Sequence, residues 1–459
     1  MQRWLAFAIL MAGGFLPPVD FFIVNVALPT IRDSLAATPA QTQLVISGYA
    51  AGYAVFLITG GRLGDLYGRR RCFLLGMVLF TLTNVLCGIA PNANLLLVGR
   101  VLQGLAAALL APQVLGAVRA LYADPRALSK ALSIFGITMG LAAAVGQFSG
   151  GALVAWNPLD LGWRAIFLIK IPVCLPILLA AWRFLPETGG GQNTRLDLVG
   201  AGLISVALAA VVVPLSQGRE LGWPLWVFVV LASAPCLIVV FLWHQDRLAK
   251  SGGMPLVDLR LFAIPSFRRG VLVATLFFFT TSFYFLFGIY QQAGLGVNPL
   301  WTGLAILPYG LGLFLGPIVS APFQRLQPKL LAIGMSIQVT FYVLIGVLVA
   351  IGITDWRLSG VVFLAGLGQG VAFPRLYNTI LGQVPSDQAG VASGITNSAL
   401  QMGAAVSAAA IGSLFFSVLD GQTTERAYAH AFSIAQWTLS AALGIAMVLA
   451  IPVAIKKAR

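Results

Sequence analysis

Charge is what this chain has least of. Asp, Glu, Lys and Arg make up 9% of its 459 residues, with only 14 acids in all, while 59% of the sequence is hydrophobic. A water-soluble chain of this length needs a charged surface, so the balance excludes a soluble enzyme or binding domain and leaves a polytopic membrane protein. Cysteine is scarce too. Cys72, Cys87, Cys174 and Cys236 stand singly in or beside apolar runs with no CxxC spacing, which excludes a disulfide framework and a thiolate metal centre. The two histidines, His244 and His430, fall beside charged loop residues, and neither is given a catalytic role. No cofactor and no metal are expected. The first apolar run has almost no basic leader and no small-residue cleavage site, which predicts a retained helix rather than a signal peptide. No nucleophile, base and orienting group can be assembled from intramembrane residues, and no carbonyl filter or charged ring is repeated. A membrane enzyme or an ion channel is therefore not expected.

What the chain has in quantity is apolar sequence. A spanning helix needs about 20 apolar residues. Fourteen runs qualify: 4–28, 43–61, 72–90, 95–118, 131–155, 165–185, 198–215, 224–243, 270–293, 301–323, 330–353, 359–381, 390–418 and 433–455. With the N-terminus inside, the inner segments hold 20 of the 28 Lys and Arg residues, including Arg119, Arg126, Lys130, Arg268, Arg269, Lys456, Lys457 and Arg459. The outer loops hold five, Arg32, Arg164, Arg219, Arg357 and Arg426, which predicts that both termini are cytoplasmic. Arg100, Lys170 and Arg375 remain embedded. The formal charge of +14 thus follows membrane topology and implies no nucleic-acid partner.

The stretch 61–71, GRLGDLYGRRR, reads as a charged elbow between the second and third spans. Gly61, Gly64 and Gly68 remove side chains where two helices turn, Asp65 supplies one negative charge, and Arg62, Arg69, Arg70 and Arg71 supply four positive ones. The arginines alone would do for a topology anchor; the acid and the glycine spacing suit a latch between bundles. The segment 316–334 partly echoes the elbow with Arg325 and Lys329 but has no acid. That echo predicts an internal repeat of six spans before and six after an inserted pair. The 250–269 stretch, rich in Pro and Gly, reads as an amphipathic linker along the membrane surface.

Within the membrane, the first span carries PPVDFFIVNVALP, where Pro17 and Pro18 interrupt the backbone ladder just before Asp20, the only acid well inside any span. A carboxylate at such a depth is a functional-site candidate, set against a permanent structural pair with a buried Arg. The fourth span places Arg100 and Gln103 on one face. At about 1.5 Å rise per residue, Asp20 lies about 12 Å and Arg100 about 8 Å from the outer ends of their spans, so the two meet at similar depth. Gly136, Gly140, Gly146, Gly150 and Gly151 on the fifth span suit close helix packing. The ninth span, FFFTTSFYFLFGIYQQ, offers Tyr284, Tyr290 and Gln291 as an amphipathic lining for apolar guests.

The elbow closely resembles the signature loop between helices 2 and 3 of the major facilitator superfamily. The whole chain resembles the fourteen-helix EmrB/QacA-type drug:proton antiporters of that superfamily. The matches run in order: Asp20 with IVNVALP, the elbow, Arg100 with QG, GWRAIFLIKIP at 162–172, LDLVGA at 196–201, LVDLRLF at 256–262, IYQQ at 289–292 and LPYG at 307–310. The resemblance implies an all-α integral membrane protein of two six-helix bundles, 1–185 and 270–459, an inserted pair at 186–250 and a linker at 251–269. It implies alternating access, with Asp20 as proton site, Arg100 as its partner, and Asp65 latching one side against the start of the thirteenth span near Gly390. Gly61, Gly64, Gly68, Arg69 and Arg70 complete that latch. Asn25, Gln103, Gln147, Tyr284, Tyr290 and Gln291 are the candidate substrate cavity. Three departures stand out: Gln147 follows Gly146 where the family signature usually has Pro, Phe21 and Phe22 stand where a Thr is usual, and Lys170 stands where Asn is common.

The expected function is proton-coupled efflux of lipophilic small molecules across a bacterial inner membrane; the alternative is export of one metabolite, such as a sugar, siderophore or antibiotic. Expected partners are the small-molecule substrate, protons and the bilayer, with a periplasmic adaptor protein as a further candidate.

Overall fold

A computed structural model describes residues 2–122, 124–188, 197–354, 356–381, 384 and 389–455. Every regular element among them is helical. Hydrocarbon offers backbone groups no partners, so a chain this apolar satisfies them within its own helices.

The first half comprises α1 (Gln2–Leu35), α2 (Pro39–Tyr67), α3 (Arg69–Gly88), α4 (Ala93–Leu121), α5 (Pro125–Trp156), the short α6 (Ala165–Leu168) and α7 (Ile171–Phe184). A hairpin of α8 (Leu198–Gln217) and α9 (Leu225–Lys250) follows. The second half comprises α10 (Pro265–Phe277), α11 (Ser282–Ile289), α12 (Pro299–Ser320), α13 (Gln327–Ala350), α14 (Trp356–Leu381), α15 (Ala389–Leu419) and α16 (Glu425–Ile455). Twelve of the fourteen expected spans are long and apolar enough, among the described residues, to cross a membrane. The other two, α5 and α14, are helices of 32 and 26 residues.

Local sequence sets the ends. Thr38 and Gln41 form a reciprocal cap on α2, each side chain accepting from the other's backbone N–H at 3.2 and 3.0 Å, with Pro39 in the first turn. Asn92 accepts from the Leu95 amide at 2.9 Å and starts α4.

The elbow differs from the sequence expectation: Gly61 and Gly64 lie inside α2, and the turn is Gly68 alone, at φ +97°. Only a residue without Cβ adopts that conformation freely, and a side chain here would also meet the Glu187 carboxylate at 2.6 Å. The earlier glycines serve helix contact. A Cβ on Gly52 would come within 2.6 Å of the Val101 carbonyl, so α2 and α4 touch backbone to backbone. The first span also differs, since α1 runs unbroken through Pro17 and Pro18. Those prolines lack N–H groups, which leaves the Gly13 and Gly14 carbonyls without helical donors just before Asp20.

α1 to α7 pack on one another, as do α10 to α16, and the most extensive contacts between the halves are α2 with α15, α5 with α12, and α1 with α11. The first two seams are closed at both ends. A Cβ on Gly412 would lie 3.0 Å from Gln43 far from the elbow, and one on Gly394 would lie 3.7 Å from Ile58 near it. Along the other seam, Gly151 meets Gly303 and Gly140 meets Phe314, at 3.3 and 3.1 Å for the added Cβ. The α8–α9 hairpin rests through α8 against α2 and α15, one from each half.

Candidate functional site

Asp20 on α1, Arg100 on α4 and Lys170, at the break between α6 and α7, converge in the first half with 0%, 0% and 3% of their surfaces exposed. Arg100 Nη1 donates to Asp20 Oδ2 at 2.6 Å and to Gln103 Oε1 at 2.6 Å, while its Nε donates to the Val45 carbonyl at 3.0 Å. Gln103 Nε2 donates to Asp20 Oδ1 at 3.1 Å and to Asn84 Oδ1 at 3.0 Å. Lys170 Nζ donates to Asp20 Oδ1. The Arg100 guanidinium lies over the Tyr49 ring at 4.3 Å, and Lys170 Nζ lies 4.9 Å from the centre of Phe167. Arg100 Nη2 has no partner among the described residues.

The backbone explains how Lys170 gets there. Ile169 and Lys170 keep right-handed helical angles, but the ladder tightens there, with Lys170 N on Phe167 O at 3.3 Å; Pro172 cannot donate, and the chain resumes as α7 with the Cys174 amide on the Lys170 carbonyl at 2.7 Å. The sequence reading named Asp20, Arg100 and Gln103; it missed Asn84, and it noted Lys170 as an embedded cation and a departure from the family pattern without bringing it to Asp20. Gln103, a candidate cavity residue, bonds Arg100 and Asp20 within the charged cluster.

The second half holds an uncharged counterpart. A 3-10 turn at Phe278–Thr281 separates α10 from α11 and frees carbonyls: Ser407 Oγ donates to Phe279 O at 2.7 Å. Tyr309 OH donates to Gln369 Oε1 at 2.7 Å, so with its single proton spent it accepts from Gln338 Nε2 at 3.1 Å and from Tyr342 OH at 2.8 Å. Tyr284 OH reaches the same Gln369 oxygen at 3.4 Å, and its ring meets Tyr309 edge-on at 5.2 Å. Tyr290 stacks on Phe432 at 4.9 Å. Tyr309, Tyr342, Gln338 and Gln369 escaped the sequence reading, although each is a polar residue standing alone in an apolar run.

The remaining candidates lie at the seams. Asn25 donates to its own helix at Phe21 O, 2.8 Å away, and its carbonyl oxygen has no partner among the described residues. Both amide atoms of Gln147 and of Gln436 are buried without partners among the described residues. Gln291 is buried at a π-helical turn, Tyr290–Gly294, whose neighbour Gln292 donates across the seam to Val26 O at 2.7 Å. A cleft of about 290 Å³ opens beside it, lined by Arg32, Asp33, Thr42, Gln292 and Asn298 among others. A second cleft, about 310 Å³, is lined only by apolar residues such as Val98 and Leu102 on the exposed side of α2 and α4, and lies apart from both polar clusters.

The elbow is held mostly by the first half. Asp65 pairs with Arg69 at 3.0 Å, Arg70 N donates to Glu187 Oε1 at 2.9 Å and Arg69 N to Thr188 O at 3.1 Å. Arg62 donates to the backbone carbonyls of Met254, at 2.9 Å, and Pro255 in the linker. The linker is fixed in turn to α9, where Gln245 accepts from the Val257 amide at 2.9 Å and donates to Asp197, which also bonds His244 and the Gly200 amide at 2.8 and 2.7 Å. Burial works against the Asp197 charge, yet the bonds from His244, Gly200 and Gln245 outweigh it and hold the carboxyl below its usual range. The expected partner of Asp65, the start of the thirteenth span near Gly390, falls on side chains at 389–391 that lie outside the described residues.

Comparison with known proteins adds the family. The chain is 33% identical over 434 residues to the probable actinorhodin transporter of Streptomyces coelicolor, covering 92% of this chain and 74% of that one. It is 31% identical to the multidrug resistance protein Stp of Mycobacterium tuberculosis, over 89% of this chain and 75% of that one. It is also 31% identical to the cephamycin export protein CmcT of Amycolatopsis lactamdurans, over 91% and 86%. Among solved structures, a bacterial homolog of the human lysosomal transporter Spinster shares the fold at TM-score 0.68 and 16% identity, covering 99% of this chain and 97% of that one. Residues 10–408 match the model of the Major Facilitator Superfamily, and the chain belongs to that family of membrane transporters.

Proposed function

We propose that the protein is a proton-coupled exporter of lipophilic small molecules. Residues 1–185 and 270–459 are its two six-helix bundles, α8 and α9 an inserted pair that brings the spans to fourteen, and 251–269 the linker. Both termini face the cytoplasm of a bacterial cell. The observation that carries this reading is the division of polar groups. Among the described residues Asp20, Arg100 and Lys170 lie together in the first half, while the second half gathers tyrosines and amides around Tyr309, with Arg375 on α14 as its buried charge. A neutral aromatic wall suits apolar guests with a few hydrogen-bonding groups, and a buried charge cluster suits proton binding that changes helix pairing. Gain or loss of one proton there alters the α1–α4–α7 contact, and about 1.4 kcal/mol of bias moves the ratio of access states tenfold.

The test is uptake of a panel of lipophilic dyes and antibiotics into proteoliposomes under an imposed pH gradient. Uptake that ignores the gradient and an uncoupler would remove proton coupling from the reading. Export of one defined antibiotic is the second reading, favoured by relatives named for single compounds, actinorhodin and cephamycin. A panel in which one compound alone is moved would select it.

A further inference from the structure

Three ionisable groups meet at Asp20, and their charges do not cancel. With Asp20 ionised and both Arg100 and Lys170 protonated, the cluster carries one surplus positive charge at almost zero exposure. The other titratable groups facing it are Tyr49 of α2 under the guanidinium, Cys87 of α3 against Gln103, and Cys174 of α7 one turn beyond Lys170. Phenols and thiols are neutral in their ordinary form at pH 7, so none of them supplies the missing anion. An uncompensated charge is costly in a site so closed to solvent. Loss of one proton makes the cluster neutral. Arg100 cannot give one up, and adding one to Asp20 would raise the surplus to two.

We infer that the proton exchanged in each transport cycle is carried by Lys170, with Asp20 and Arg100 as a lasting pair. This rests on the proton-coupled reading and changes the carrier from Asp20, which the family resemblance nominates. In the state open outward, the neutral Lys170 amine takes a proton from hydronium, leaving water and an ammonium. In the state open inward, the ammonium returns that proton to water and recovers its lone pair, so one proton and one charge cross per cycle and nothing is oxidised.

The geometry assigns each form a consequence. As an ammonium, Lys170 ties the start of α7 to α1 through Asp20 Oδ1, with the Phe167 ring at 4.9 Å as a second partner. As an amine it loses the ion pair. Asp20 meanwhile keeps Arg100 on Oδ2 and Gln103 on Oδ1, so α1 and α4 stay joined. Only the contact made by α7 is switched.

Proton binding by purified full-length protein, read with a pH indicator between pH 5 and 9, tests this without a known substrate. Lys170→Arg should bind about one proton fewer than wild type across that range, and Asp20→Asn should keep the step at a displaced pH. Loss of the step in Asp20→Asn with retention in Lys170→Arg would return the carrier to Asp20 and overturn the inference, as would its persistence in both. Should Lys170→Arg not fold, wild-type protein labelled with 15N at the lysine side chains gives the same answer. One buried Nζ signal should convert between ammonium and amine in that window and be missing in Lys170→Gln; no converting signal overturns the proposal. Failure of the broader reading looks different: the Lys170 step is present, but no compound moves with the gradient.

Discussion

Phe22 of α1 stands edge-on to Tyr284 of α11 with ring centres 4.8 Å apart, an aromatic contact that joins the two halves beside both polar clusters. Phe22 is two residues from Asp20 on the same helix, and Tyr284 touches the Tyr309 ring, so the contact links the helix that carries Asp20 to the neutral side. An edge-to-face pair contributes about 0.5–1.5 kcal/mol beyond its buried area. Phe22→Ala should therefore shift the ratio of access states by about 2- to 12-fold. Spin labels placed on α2 and α15 at each end would read the shift as distance distributions, and unchanged distributions would mean that the contact is the same in all states.

Removing the anion should cost more than removing one cation. Asp20→Asn leaves Arg100 and Lys170 buried without a counter-charge, which should destabilise the protein by about 3–5 kcal/mol. Lys170→Gln leaves the Asp20–Arg100 pair at 2.6 Å intact and should cost less. Combining the two should cost less than the sum of the single changes. Thermal unfolding in detergent measures all three, and strict additivity would argue that Lys170 and Asp20 do not share one network.

The elbow pair is half-open to solvent, with Asp65 38% and Arg69 25% exposed, so it contributes about 0.2–1 kcal/mol to folding at most. Asp65→Asn should leave the melting temperature almost unchanged while altering cysteine labelling at the elbow end. Arg62→Gln should instead free the linker, raising cleavage by protease between residues 250 and 264 several-fold. Equal protease resistance in both variants would show that Arg62 does not hold the linker.

Asp197 ties α8, α9 and, through Gln245, the linker. Its carboxyl is held below the ordinary 3.8, so its contribution is complete above that value and is lost only as pH falls through the lower folded-state value. Protection of the Val257 amide against hydrogen exchange, which depends on Gln245 at 2.9 Å, should be flat from pH 8 to pH 5. Gln245→Ala should remove it at every pH. Loss of protection within that range in the wild type would mean that the Asp197 carboxylate does not set the junction.

Apolar length made most of the helices legible, because a run of about 20 such residues has few other fates. The meeting of Asp20 with Arg100 was legible as well, since regular rise along two straight helices fixes their depth. Lys170 was not. Its depth within the sixth span does not say which way its side chain turns, and only the packing of α7 on α1 and α3 brings Lys170 to Asp20. The elbow glycines were misplaced for a related reason: a glycine inside a helix and one in a turn look alike in sequence, and only the packing of α2 on α4 separates Gly64 from Gly68. Tyr309 and Tyr342 stayed hidden because a lone tyrosine in an apolar run reads as packing; their pairing at 2.8 Å depends on α12 and α13 being brought together by α14.

Arg62 takes hold of the linker by two carbonyl oxygens and by no side chain. Such a grip is blind to residue identity at Met254 and Pro255 and sensitive to spacing. Swapping those side chains for others that keep the same backbone course should leave the strap engaged. Adding or deleting a single residue between Ser251 and Val257 would carry the carbonyls out of reach, so this stretch should tolerate drift in its letters far better than any change in its length.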